Sequence, residues 1–313
     1  MNNTTDIAEC GFDGNSDIYG MGVRFGIYLQ WATSIIAEHL HEPAIQSTRG
    51  ANTTYQLAML AGLILITTAR DAETKAIEGY ITLFLCFASA WIASLQSSSA
   101  ARSAFDRARG FWGSGGGGED DGGGDQRYTR GSGIDGRGGD LLLGTATCAY
   151  GIWFLFIGLD RLPRTDCPEI VFFFSKADPF GWFRVLSKVA FIASVTGSAV
   201  LIPLHVSLLA QDMTEHISQW GARHLVDHPG NSAEIVRIVY LRPLKLFGSV
   251  VVIGTFVAAV ELTLVWNHIR DVHTCDTFSQ LFPLMVGATN FVRVCYELAA
   301  SVTFGDSRIR KSR

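Results

Sequence analysis

Charge is scarce in this sequence. Asp, Glu, Lys and Arg make up 17% of its 313 residues, against about 25% in ordinary soluble domains. A soluble globule of this length needs more charge on its exterior, so that class is excluded. The near-balance of 25 Lys+Arg against 29 Asp+Glu excludes a chain drawn to nucleic acid by bulk charge. The six cysteines show no CxxC and no Cys/His zinc spacing. Residues 1–20 lack a basic stretch followed by an apolar one, so no cleavable signal peptide is expected and the first spanning helix would direct insertion. There is no GxSxG elbow, no Cys/His pair in a segment plausible for catalysis and no aspartate pair at membrane depth, which removes the usual apparatus of nucleophilic catalysis.

Apolar residues, by contrast, reach 48% and the mean hydropathy is +0.23. Crossing ~30 Å of hydrocarbon at 1.5 Å per residue takes about 20 mostly apolar residues. Seven segments meet or approach that length: Phe25–Ala37, Tyr55–Ala69, Gly79–Leu95, Leu141–Leu159, Val189–Ala210, Leu246–Trp266 and Leu281–Phe304. The first is the weakest, bracketed by Arg24 and Glu38 with Gln30 inside, and six spans is the main rival count. Pro203 should kink the fifth and free a carbonyl for His205 to answer. The expected fold is all-α, a polytopic transmembrane helical bundle of seven spans.

Basic side chains orient the bundle. With the amino terminus outside, fifteen fall on the cytosolic side and nine on the other, with Arg293 left within the membrane. The resulting organisation is an acidic non-cytosolic arm at 1–19 with sequons at Asn2 and Asn3, helices one to three over 20–97, and a cytosolic loop at 98–140. Helices four to seven follow over 141–304, with a basic cytosolic tail at 305–313. Residues 110–139 hold 14 glycines in 30 positions and almost nothing apolar, so a disordered linker is expected there. Its glycine run lacks the lysine and the strand of a phosphate-binding loop. Loop 211–242 carries Met213, Ile217 and Trp220 at helical spacing, the pattern of an amphipathic surface helix, and the aromatic residues of 172–183 suit the opposite interface. The membrane is either the plasma membrane or the endoplasmic reticulum; the basic tail fits a retrieval signal as well as a topological one.

Charges at membrane depth need partners or tasks. Arg24 lies ~6 Å inside the outer end of the first span and Glu261 ~8 Å inside that of the sixth, so the two should meet. They could form a ligand site open to the outer face, with Gln30, Asn267 and His268 supplying hydrogen bonds, or a clamp that only fixes helix register. Arg293 and Glu297, at i, i+4, form a self-contained intramembrane pair. Metal chemistry is weakly signalled. His224 and His228 are four apart but lack the glutamate of HExxH, and Pro229 stops the helix, while His268, His273 and Cys275 crowd one polar loop. No metal or cofactor is expected. Cys10, Cys167 and Cys275 share the outer side, and a Cys167–Cys275 disulfide would join the loops flanking spans four to seven.

Two stretches, AspIleTyrGlyMetGlyValArgPheGlyIleTyrLeuGlnTrp at 17–31 and GluLeuThrLeuValTrpAsnHisIle at 261–269, together with GlnLeuPheProLeu at 280–284, resemble a family of multi-pass integral membrane proteins of filamentous fungi. Met21 and Phe25 replace expected leucines, and the glycine-rich insert is peculiar to this chain. The resemblance implies membrane topology and carries no mechanism. Three functions fit these readings. The first is recognition or transport of a small molecule through a polar pocket near the outer face, with the bilayer and that ligand as partners and no nucleic acid. The second is a membrane-embedded cyclase or isomerase using Glu261 as general acid on a lipophilic substrate, and the third is a scaffold.

Overall fold

In a computed structural model describing residues 11–40, 44–68, 74–93, 136–165, 167–199 and 242–311, the chain is mostly helical. A one-turn helix α1 (Ser16–Tyr19) precedes seven helices of 18 to 34 residues. These are α2 (Met21–Leu40), α3 (Ile45–Thr68), α4 (Ala76–Ala93), α5 (Gly136–Trp153), α6 (182–199), α7 (Arg242–Trp266) and α8 (Phe278–Lys311). Three helices, over Ala76–Ala93, Gly139–Gly158 and Lys245–Trp266, are long and apolar enough to cross a membrane. Residues 136–140, expected in the linker, belong to α5. The rest of the glycine-rich insert, Pro203 and His205, loop 211–242 with its histidines, and the sequons at Asn2 and Asn3 lie outside the described residues.

Contacts fix how the helices run. Arg24 of α2 meets Glu261 near the end of α7, and His39 at the other end of α2 lies 3.3 Å from Ser249 near the start of α7, so the two are antiparallel. Helices α2 and α8 run parallel, since Gly22 faces Gln280 and Gln30 bonds Asn290. One end of the bundle therefore carries Arg24, loop 159–181 and loop 267–277, and the opposite end carries Arg49 and Asp140.

Large apolar side chains stand exposed on several helices, and polar ones are buried beside an apolar core. Val185, Val189, Phe247, Val250, Phe282, Met285 and Val292 point outward and are exposed, whereas Gln30, Thr33, Ser34, Gln56, Thr82, Thr147, Thr263 and Gln280 are buried. The hydroxyls of Thr33, Ser34, Thr82, Thr147 and Thr263 each donate to the carbonyl four residues back, which satisfies them without water. Helix α4 sits inside, with 78% of its apolar stretch buried, while α7 faces outward with 22%.

Helix α2 is the axis of packing, and glycine lets it be so. A methyl group at Gly22 would lie 2.3 Å from the Gln280 carbonyl oxygen, one at Gly26 2.6 Å from that of Pro283, and one at Gly287 2.6 Å from that of Gly26. Gly22 and Gly26 form a GxxxG spacing whose bare face lets α8 approach backbone to backbone. The hydroxyl of Tyr55 on α3 donates to the Pro283 carbonyl and ties a third helix to this crossing.

At the Arg24 end, α5 widens into a π-turn over Phe154–Gly158, closed by Leu159 N–H donating to the Phe154 carbonyl at 2.7 Å. Arg184 caps this end, donating to the Leu155 carbonyl at 2.8 Å and to both oxygens of Asp160 at 2.8 and 2.6 Å. That bidentate bond holds the Asp160 carboxyl below its ordinary range. A two-strand hairpin follows, β1 (Val171–Phe172) and β2 (Lys176–Ala177), with Phe174 at φ 56° in its turn.

Because the nearest atoms at Gly26 are backbone, Gly26→Ala should cost about 1–3 kcal/mol. Gly62→Ala, which meets nothing within 4 Å, should be neutral or stabilising by up to about 1 kcal/mol; unfolding midpoints in detergent check both. For Asp160, whose folded pKa is depressed, the Arg184 bond stabilises the fold above the carboxyl's unfolded pKa and is lost as pH falls through the folded one. Wild type should therefore lose more stability on acidification through that range than Asp160→Asn does.

Candidate functional site

Arg24 and Glu261, the two charges singled out by their expected depth, are in contact. Arg24 Nε lies 2.8 Å from Glu261 Oε1, with Arg24 1% exposed and Glu261 33%. Arg24 Nη1 donates to the carbonyls of Tyr19 at 2.6 Å and Val272 at 3.2 Å, and Nη2 reaches Glu261 Oε2 at 3.4 Å. The Tyr28 hydroxyl, one turn further along α2, donates to Glu261 Oε1 at 2.9 Å. The guanidinium thus directs its donors into the protein.

Sequence reasoning missed that a second carboxylate joins the same network. Glu78, 4% exposed in the first turn of α4, accepts from the Tyr19 hydroxyl at 2.6 Å, the Asn15 N–H at 2.9 Å and the Lys75 N–H at 2.7 Å. The last bond is half of a capping box, with glutamate at the third helical position reaching back to the cap N–H. LysAlaIleGlu at 75–78 carried that signal, since an N3 glutamate opening an apolar run marks a helix start. Tyr19 links the two carboxylates, its hydroxyl on Glu78 and its carbonyl on Arg24.

The other residues expected around Arg24 do other work. Gln30, six residues on, accepts from Asn290 at 2.8 Å and faces α8. Asn267 clamps the strand before the hairpin, accepting from Ile170 N–H at 2.9 Å and donating to its carbonyl at 2.5 Å, while Thr263 Oγ1 accepts from Phe172 N–H at 3.1 Å. Thr263 in the last turn of α7 and Asn267 just past its end thus serve the hairpin as a partner strand would. His268 is exposed in the αL region at φ 48°. The bonds of Gln30 and Asn267 thus run to α8 and to the segment before the hairpin.

Arg293 and Glu297 lie 4.0 Å apart, beyond hydrogen-bond distance. They form the expected i, i+4 ion pair, but Arg293 also donates to Ser47 on α3 at 2.6 Å and to Asn290 at 3.0 Å, so the pair is not self-contained. The expected Cys167–Cys275 bridge is not formed. Cys167 is disulfide-bonded, but Cys275 is a free thiol. The reason is direction, since the Cys275 sulfur points at α2 and would stand 2.9 Å from a methyl group on Gly22. His273 lies 3.2 Å from the Ile269 carbonyl, and no group of three or more His, Cys, Asp or Glu among the described residues could hold a metal ion.

Two cavities flank the hairpin. One, of about 270 Å³, is walled by α4, α6, α7 and Phe172–Phe174; the other, of about 420 Å³, has a mixed lining that includes Arg164, Glu169, Ile170, Lys176 and Phe180. The chain was compared with protein-family models, curated proteins and solved structures, and none matches.

Removing one member of a buried ion pair leaves the other uncompensated. Glu261→Ala should therefore cost about 3–5 kcal/mol, and Arg24→Met combined with Glu261→Leu should recover much of that loss. Arg293→Ala, at a half-exposed position, should cost less than about 1 kcal/mol. A double-mutant cycle on unfolding midpoints reads all three.

Proposed function

We propose that the protein is a seven-span membrane protein that recognises or carries a small lipophilic molecule, with its Arg24 end on the non-cytosolic side. What supports this reading is the cavity of about 270 Å³ between α4, α6 and α7. Phe84, Phe87, Phe173, Phe183, Phe191 and Phe256 line it, with Phe87–Phe191 centroids 4.6 Å apart and Phe173–Phe183 5.1 Å. Its polar feature is the Tyr80–Ser187 hydroxyl pair, at 2.7 Å. An aromatic wall with one hydroxyl pair suits an apolar body bearing a single hydrogen-bonding group. The exposed apolar side chains of α6 and α7 put a lipid-facing surface beside it, which is a route for such a ligand.

Arg24 and Glu261 serve this reading as a clamp: they hold α2 to α7 at the end where the hairpin closes the cavity. The membrane-enzyme alternative is disfavoured because Glu261, its candidate acid, already accepts from Arg24 and Tyr28.

The test is saturable binding of a fluorescent lipophilic probe to the full chain in nanodiscs. Ala190→Trp, which fills the cavity, should weaken binding at least about tenfold. Leu142→Trp, on an outward face of α5 that is 61% exposed, should leave it unchanged. Non-saturable uptake, or equal binding by both variants, would contradict the assignment.

A further inference from the structure

A cavity of about 440 Å³ opens between α3 and α8, with the buried Val23 and Met59 side chains at its floor. On α3 its wall is Ala51, Thr54, Tyr55, Ala58 and Gly62, at spacings of three and four that set them on one helix face. The small residues of that face make the space, and a methyl group on Gly62 would meet nothing within 4 Å. Phe282, Pro283 and Val286 of α8 form the other wall. From Gly62 to Ala51 the α3 face descends ~16 Å, from the Arg24 end toward the Arg49 end. The cavity is therefore a slot along the bundle.

Its polar groups are unequal. Thr54 Oγ1 donates to the Gly50 carbonyl at 3.0 Å and the Tyr55 hydroxyl to the Pro283 carbonyl, so both have committed their protons within the protein. Asp17 of α1, at the Arg24 end, is the one charged residue among the described lining, and it is exposed. Its Oδ1 accepts from Ser279 at 2.5 Å, and the ion pairs among the described residues do not include it. A negative charge at one end and hydrocarbon along the rest is the complement of an amphiphile with a cationic head.

We infer that this slot binds a single-chain lipophilic amine, with its ammonium on Asp17 and its chain lying between α3 and α8 toward Ala51. The ligand then stands as a lipid does in one leaflet, head at the end of the bundle and chain inward. A fatty acid would set like charges together at Asp17, and an N-acylated amine brings no charge to it. The inference shares with the proposed function only its membrane setting, since the slot has no lining residue in common with the aromatic cavity.

Photolabelling of the full chain in zwitterionic nanodiscs tests the inference, with octadecylamine carrying a diazirine near the end of its chain as the probe. Saturable labelling is expected in peptides holding 51–62 of α3 or 282–286 of α8. Unlabelled octadecylamine should compete at least about tenfold better than N-acetyl-octadecylamine or stearic acid. Asp17→Asn, which keeps an oxygen to accept from Ser279, should remove that preference; as a ratio of competitors, it does not depend on protein yield. Ala58→Trp, which fills the slot, should abolish labelling of α3 and α8. Labelling confined to other helices, equal competition by the amine and its N-acetyl form in wild type, or an undiminished preference in Asp17→Asn would each overturn the assignment. So would labelling that Ala190→Trp removes and Ala58→Trp spares, which would put the amine in the aromatic cavity.

Discussion

A guanidinium buried to 1% exposure must find its hydrogen-bond acceptors inside the protein, and Arg24 finds them on three separate segments. Glu261 comes from α7, the Tyr19 carbonyl from the turn before α2, and the Val272 carbonyl from loop 267–277. Leaving any of these away from Arg24 would strand a charge in a low-dielectric interior, so the terminal arm, the end of α7 and the last loop are drawn to one point. Tyr19 extends the constraint to Glu78 and hence to α4. The arm is stitched on further by Gly14 N–H on the Arg270 carbonyl and Arg270 N–H on that of Phe12, at 2.9 and 2.8 Å. One end of the bundle is thereby closed around a polar knot, which is the frame on which the hairpin and both cavities rest.

The opposite end is built differently. There α2, α3, α5 and α8 meet through short polar contacts: Ser34 with Asn52, Thr53 with Asp140, Gln30 with Asn290, and Ser47 with Arg293. Such side-chain hydrogen bonds fix how neighbouring helices are turned toward one another. The glycine crossing of α2 with α8 adds close backbone approach and the dispersion it brings.

These particulars show what was legible in the sequence. The pairing of Arg24 with Glu261 followed from depth alone, because a charge at membrane depth has few places to go. The apolar stretches of α4, α5 and α7 were equally plain from length and composition. Segment 25–37 read as the weakest span, and its helix α2 is not among the three described helices apolar enough to cross a membrane; its Gln30 and the adjacent Arg24 bond to α8 and α7. What could not be read was direction around each helix. Residue spacing placed Asn267 near Glu261, yet the turn of α7 aims its amide at Ile170. The same blindness attached Cys275 to Cys167. The GxxxG of Gly22 and Gly26 was present but overshadowed by the charge between its glycines.

The account stands or falls on the state of the Arg24 side chain in a bilayer. Solid-state NMR on the full chain in lipid, with arginine ¹⁵N and glutamate ¹³C labels, reads it directly. The structure places Arg24 Nε 2.8 Å from Glu261 Oε1, so Arg24 Nε should show strong dipolar coupling to the Glu261 carboxyl carbon and an N–H protected from water exchange. A freely exchanging Arg24 Nε with no such coupling would contradict it.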